Sequence, residues 1–143
     1  MQEWQGLVRN GNLCFAERDF VGAKRSYRSA LSVARRGLAG LADHDPQADS
    51  QLAACVVCAL NLADALVELG DPATAIDTLL GVEAILAGLL GGQPDCQVAA
   101  PIVLRHLNRL RLERMVLMRS EGGLAAPGLA GSAAPQPSRA SLH

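Results

Sequence analysis

Apolar residues recur at steps of three and four along most of the chain, which is the period of a helix with one buried side. The recurrence is interrupted at "DHDP", "GDP" and "GGQPD", where glycine suits the end of one helix and proline the first turn of the next. The pattern therefore predicts an all-α fold of about five helices, over residues 2–16, 20–42, 46–69, 72–90 and 97–119.

Two stretches of the chain share one spacing of small and large residues. Small residues in the shared positions allow two antiparallel helices to approach closely, and the larger ones fill the space between layers. The spacing therefore predicts two similar helical hairpins. The first copy runs through Gly11, Cys14, Ala23, Tyr27 and Ala30, and the second through Ala63, Leu66, Ala75, Leu79 and Val82.

The first copy, "NGNLCFAERDFVGAKRSYRSAL", resembles the tetratricopeptide repeat (TPR) family, and "NLADALVELGDPATAIDTLLGV" matches the spacing of that family with Leu66 and Leu79 in place of aromatic residues. The resemblance covers residues 4–90. Residues 97–119 would then form either the first helix of a third repeat or a capping helix. The copies are 52 residues apart rather than about 34, which implies the long-helix branch of the family. The resemblance implies a solenoid whose concave face binds an extended peptide of a partner protein.

The resemblance also implies a set of peptide-binding residues on the first helix of each hairpin. Asn12 and Asn61 fall where the asparagines that hold the peptide lie in the family. Arg105 and Arg109 would supply a basic pair in a third repeat. An alternative is that these arginines pair with Asp64 and Glu68 of a neighbouring helix. The candidate peptide-binding residues are Asn12, Asn61, Asp64, Arg105 and Arg109.

The composition fits one domain followed by a tail. Half of the 143 residues are hydrophobic but only 3% are aromatic, so the core is built mainly from alanine, leucine and valine. Residues 120–143 are rich in glycine, alanine, serine and proline and lack the apolar content that packing requires. We therefore expect a helical domain over residues 1–119 and a disordered tail over 120–143.

Charge alternates along the chain. Residues 1–40 carry net charge +4, 41–97 carry −9 and 98–119 carry +4, an order that favours attraction between neighbouring helices. No continuous basic stripe with interleaved aromatic residues is present, so we expect no nucleic-acid partner. The chain has no run of about 18 apolar residues, and Met1 begins no signal-like segment, so we expect no membrane span and a cytoplasmic location. Arginine far outnumbers lysine, which is typical of a GC-rich bacterial genome.

Neither a catalytic nor a metal-binding constellation stands out. Cys55 and Cys58 form the only CxxC motif, but it lies within a predicted helix and lacks the second ligand pair of a zinc site, so these cysteines are predicted to be core residues. His44, His106 and His143 are isolated from any nucleophile. We therefore expect no enzyme activity, no metal and no cofactor.

Two functional classes remain. The first is an adaptor or chaperone-like module that binds an extended peptide of a partner protein. The second is a structural protein that self-associates, because with fewer than three complete repeats its apolar helix faces could form the seam of a homodimer.

Overall fold

The computed structural model describes residues 3–40, 46–91 and 100–125 of the chain. These residues form helices and turns and contain no strand, which confirms the predicted all-α class. The helices follow the predicted order, with most ends displaced by only a few residues. They are α1 (Glu3–Ala16), α2 (Phe20–Ala39), α3 (Ala48–Glu68), α4 (Pro72–Gly91) and α5 (Ala100–Ala125).

The last helix ends later than predicted. α5 continues to Ala125, so the predicted end of this helix at about residue 119 is wrong, while the domain boundary placed there stays a prediction. Ser120 lies inside the helix, where its hydroxyl donates a hydrogen bond to the carbonyl oxygen of Val116 at 3.1 Å. Serine and glycine weaken a helix without stopping it, and α5 accordingly continues through Ser120, Gly122 and Gly123. The rest of the predicted tail, residues 126–143, lies outside the described residues.

The turns between α1 and α2 and between α3 and α4 have the same structure. Arg18 and Gly70, 52 positions apart, both have left-handed backbone conformations, with φ of 62° and 77°. The next residues, Asp19 and Asp71, each accept a hydrogen bond on Oδ1 from the backbone N–H three residues further on, at 2.9 and 3.2 Å. Such N-caps satisfy a donor that a helix start leaves unpaired. The sequence similarity between the two copies therefore corresponds to a similarity of structure at the turns.

The two hairpins pack through equivalent residues of different size. Tyr27 in α2 and Leu79 in α4 are both fully buried. Tyr27 lies against Gly11, where any Cβ would overlap its ring. The equivalent of Gly11 in the second hairpin is Ala63, whose partner Leu79 is smaller than tyrosine. The smaller residue on the first helix therefore accompanies the larger side chain on the second: Gly11 accompanies Tyr27, and Ala63 accompanies Leu79.

α3 is the central helix. It contacts all four of the others, while each helix also packs against the next one along the chain. Short connections make consecutive helices antiparallel, so α1, α3 and α5 run in one direction and α2 and α4 in the other. α1 and α5 both pack against α3, whereas α2 and α4 make at most marginal contact with each other. A groove therefore opens between the second helices of the two hairpins.

Candidate functional site

Asn12 is engaged with the core of the first hairpin. Its Oδ1 accepts a hydrogen bond from the hydroxyl of Tyr27 at 2.6 Å. Tyr27 is fully buried, and Asn12 is half-buried on α1. Burial, reinforced by the negative charge of Asp64, raises the pKa of the Tyr27 hydroxyl, which therefore stays protonated and acts as a donor. Asn12 thus has a structural role, because it satisfies a polar group that folding removes from water.

Asn61 and Asp64 do not line an open surface. Their exposed fractions are 2% and 5%, so a ligand cannot reach them while the helices are packed as they are. The expectation that they face a peptide-binding groove is therefore wrong. The physical reason is the central position of α3, which the other four helices surround.

Arg105 forms an ion pair at the start of α3. Its Nη2 donates to Oδ1 of Asp49 at 2.7 Å, and Nε2 of His106 lies 2.7 Å from the same oxygen. The hydrogen bonds to His106 and, second, to Arg105 lower the pKa of the Asp49 carboxyl. The alternative pairing of Arg105 with Asp64 is wrong, because α3 and α5 are parallel. Asp64 lies 15 residues beyond Asp49, about 22 Å further along the helix.

Arg109 is exposed and, among the described residues, forms no ion pair. It lies one turn beyond Arg105, near the end of the bundle where α3 and α5 begin. Asn12, by contrast, lies towards the other end of α1, beside Tyr27. The predicted site residues are therefore not brought together into one groove.

The space between α2 and α4 is an open surface groove with a volume of about 760 Å³. On α2 it extends from Arg28 to Ala39, a length of about 17 Å at 1.5 Å per residue. One residue of α3 contributes to its floor. Its apolar lining consists mainly of Leu31, Leu38, Leu62, Val82, Ile85 and Leu89.

Basic residues stand only on the α2 wall of this groove. Arg28, Arg35 and Arg36 line it from α2, and α4 contributes a single charged residue, Asp77. Within the described part of the chain, no side chain of these three arginines forms an ion pair or a hydrogen bond with another residue. The groove thus combines an apolar surface with three arginine side chains that pair with no other described residue, and with one acidic residue, Asp77. Such a surface favours an acidic, partly apolar ligand.

The cysteines of the CxxC motif are core residues, as predicted. Cys55 and Cys58 are both buried, and burial raises the pKa of their thiols to about 11 and about 12. Thiols with these pKa values stay protonated near neutral pH and are weak nucleophiles. No group of three or more metal-ligating side chains is brought together among the residues that the structure describes.

Two described helices are long and apolar enough to cross a membrane by length and composition. They are α3, with 67% of its most apolar window buried, and residues 72–90, with 28% of theirs buried. The core helix of a soluble protein has the same length and composition, so this finding is weak evidence for a membrane location.

In α4, the carboxylate of Glu83 is held by the guanidinium of Arg114 at 2.6 Å, which ties α4 to α5.

The groove was not anticipated from the sequence, although part of it has a recognisable pattern. Arg28 and Arg35 are seven residues apart, as are Leu31 and Leu38, so each pair lies on one side of α2 at a spacing of two turns. In the sequence alone, these charges indicated only attraction between neighbouring helices. That α2 and α4 lie apart from each other is a property of the packing and has no local signal.

The fold and the groove define a small all-α protein with a candidate binding surface between two parallel helices. The chain matches the family DUF2753, described as a protein of unknown function, over residues 2–119, and it therefore belongs to that family. Comparison with curated proteins and with solved structures found no match.

Proposed function

We propose that this protein is a protein–protein interaction module, an adaptor or chaperone-like protein that binds a segment of a partner. The observation that carries the proposal is the groove of about 760 Å³ between α2 and α4, which pairs an apolar floor with three arginines that have no ion-pair partner in the described residues. The proposal includes no enzyme activity, no cofactor and a cytoplasmic location, and the buried, protonated CxxC thiols are consistent with it.

The proposal retains the TPR-like character of the two hairpins. The equivalent turns at Arg18 and Gly70 and the full burial of Ala23 and Ala75 support it. It moves the binding surface, however. In the family the first helices hold the peptide, whereas here Asn12 is bonded to Tyr27 and Asn61 is buried, and the open groove lies between the second helices.

A groove-filling substitution tests the proposal. Gly81 lines the groove from α4, and a Cβ built on it meets no atom within 4 Å. Gly81→Phe should therefore fill part of the groove without disturbing the fold. Gly6→Phe is the matched control, because Gly6 is also an exposed helical glycine with open space around it, but it lies on α1 outside the groove.

Both variants would be compared with the parent chain for recovery of native partner proteins from cells of the source organism. We expect Gly81→Phe to lose the specific partner while Gly6→Phe retains it, with unfolding curves of both variants close to that of the parent. Unchanged recovery with Gly81→Phe would show that the partner binds elsewhere and would contradict the proposed site.

Self-association is a second candidate function, favoured by the outer face of α5. Five large apolar side chains on this helix are between 41% and 64% exposed, and exposed apolar patches often mark interaction surfaces: Leu104, Leu112, Met115, Val116 and Met118. Sedimentation across a dilution series would detect a dimer, and Leu112→Glu should dissociate it. A chain that is monomeric at every concentration would eliminate this candidate.

A further inference from the structure

We propose that the occupant of the groove between α2 and α4 is an amphipathic helix with acidic residues along one flank, contributed by another protein. This inference rests on the proposed function, since it specifies the partner of the same groove. It differs from the extended peptide that the TPR resemblance implies.

The lining of the groove favours a helix over an extended segment. The floor consists of leucine, isoleucine and valine side chains, which offer no hydrogen-bond donor or acceptor. Thr78, one of the few polar residues there, already donates its hydroxyl to the carbonyl oxygen of Thr74 at 2.8 Å. An extended peptide would bury backbone groups without partners, whereas a helix satisfies its own backbone hydrogen bonds.

The dimensions of the groove agree with a short helix. A length of about 17 Å accommodates about 11 helical residues, or three turns. The walls are two parallel helices, so a third helix can lie between them and insert an apolar stripe towards Leu62 and Val82. Gly81, which is exposed on the α4 wall and has no side chain, allows this close approach.

The charges select an acidic helix. Arg28 and Arg35 lie two turns apart on the α2 wall, with Arg36 beside the second of them. Acidic residues spaced two turns apart on a bound helix would therefore pair with both ends of the wall, and arginine forms such pairs with two parallel hydrogen bonds. Because the arginines are exposed, these pairs should contribute more to selectivity and association rate than to affinity.

Charge also disfavours two occupants from this chain, the C-terminal residues 126–143 and α5 of a second copy. Residues 126–143 contain an arginine, three prolines and no acidic residue, so they supply neither the charge nor an uninterrupted helix. In a second copy, the exposed apolar face of α5 carries Arg105, Arg111 and Arg119, which would be repelled by the arginines of α2. A partner of opposite charge is therefore the occupant that the groove fits.

A designed peptide tests this chemistry on the full chain. The probe is a fluorescein-labelled peptide of about 14 residues with leucines at i, i+4, i+7 and i+11 and glutamates on one flank, a pattern that places the leucines on one helical face. The comparison peptides carry lysine in place of glutamate, or proline at the centre. Binding would be measured by fluorescence anisotropy at low and high salt.

We expect the glutamate peptide to bind about tenfold more tightly than the lysine peptide, with a preference that shrinks at high salt and with little binding of the proline peptide. In the double variant Arg28→Glu with Arg35→Glu, the lysine peptide should become the preferred ligand. Arg109→Glu, a charge reversal outside the groove, should leave the original preference intact.

Photo-crosslinking in native cells, with a reactive amino acid at Ser32 in the groove, identifies the natural occupant. A crosslinked segment with an apolar stripe and an acidic flank supports the inference. Crosslinks to residues 126–143, to a second copy or to a basic or proline-rich segment overturn it, as does failure of the glutamate peptide to bind. If Gly81→Phe still abolishes the native partner in those cases, the proposed function stands and only the class of occupant is wrong.

Discussion

Replacement of Gly11 by alanine is the sharpest test of how the first hairpin packs. A methyl group at this position overlaps the ring of Tyr27, which is fully buried and is held through its hydroxyl by Asn12 on the same helix as Gly11. The ring therefore cannot retreat without breaking that hydrogen bond. Alanine must either push α1 away from α2 or displace the ring.

The expected change in the free energy of unfolding combines one stabilising contribution with two destabilising ones. Alanine stabilises a helix interior relative to glycine by about 1 kcal/mol. Overpacking a filled core costs about 1–3 kcal/mol, and losing the hydrogen bond between Tyr27 and Asn12 costs about 0.5–1.5 kcal/mol. We therefore expect Gly11→Ala to lower the free energy of unfolding by about 1–3 kcal/mol, or roughly 4 °C in Tm for each kcal/mol in a domain of this size.

The same substitution at Gly6 provides the control. Gly6 is also in α1, but a Cβ there meets no atom within 4 Å, so Gly6→Ala should raise the free energy of unfolding by about 0.5–1 kcal/mol through helix propensity alone. One substitution on one helix is thus expected to have opposite signs at two positions. Urea and thermal unfolding, followed by circular dichroism at the helix band, measure both.

A second substitution tests the mechanism rather than the sign. Tyr27→Leu, combined with Gly11→Ala, recreates the pair formed by Ala63 and Leu79 in the second hairpin. The combined variant should be more stable than the sum of the two single changes predicts, by about 1 kcal/mol or more. If Gly11→Ala is as stable as Gly6→Ala, or if the two changes simply add, then the ring of Tyr27 does not define the distance between α1 and α2.

Three further predictions concern single contacts. Gly70→Ala should cost about 1–2 kcal/mol, because the residue has φ of 77° and its Cβ would have open space, so backbone strain is the only penalty; an unfolding curve matching that of the parent would contradict it. Arg114→Met should cost about 2–3 kcal/mol, since it leaves the buried Glu83 without its bidentate partner, and adding Glu83→Gln should recover part of the loss in the same assay. The pKa of Asp49 is lower in the folded chain than in the unfolded one, so the ionised carboxylate stabilises the fold at pH values above the unfolded pKa of about 4. The Tm difference between the parent and Asp49→Asn should therefore shrink as the pH falls below about 4. A difference that stays constant with pH would show that the contacts of Asp49 do not depend on its charge.

Much of the fold was predictable because its signals are local. The glycine and proline at 70–72 and the spacing of small residues each act within a few positions, and they predicted the helical hairpins correctly. The ion pair between Asp49 and Arg105 was not predictable in this way. It joins residues 56 positions apart, and the choice of Asp49 over Asp64 depends on which ends of α3 and α5 lie side by side.

The location of the groove follows from the same packing that closes the first-helix side. The absence of a side chain at Gly11 lets α2 sit close to α1, and α3 is covered by all of its neighbours, including α1 and α5. The polar groups that a peptide-binding face would need are thereby engaged or buried: Asn12 accepts from Tyr27, and Asn61 is inaccessible. On the opposite side α2 and α4 have no such contact, and the exposed cations of α2 have no acidic partner from α4 that forms an ion pair with them. A ligand could reach Asn61 and Asp64 only if α3 separated from its neighbours, whereas the groove between α2 and α4 is already open. The groove between α2 and α4 is therefore the surface that we propose for the partner.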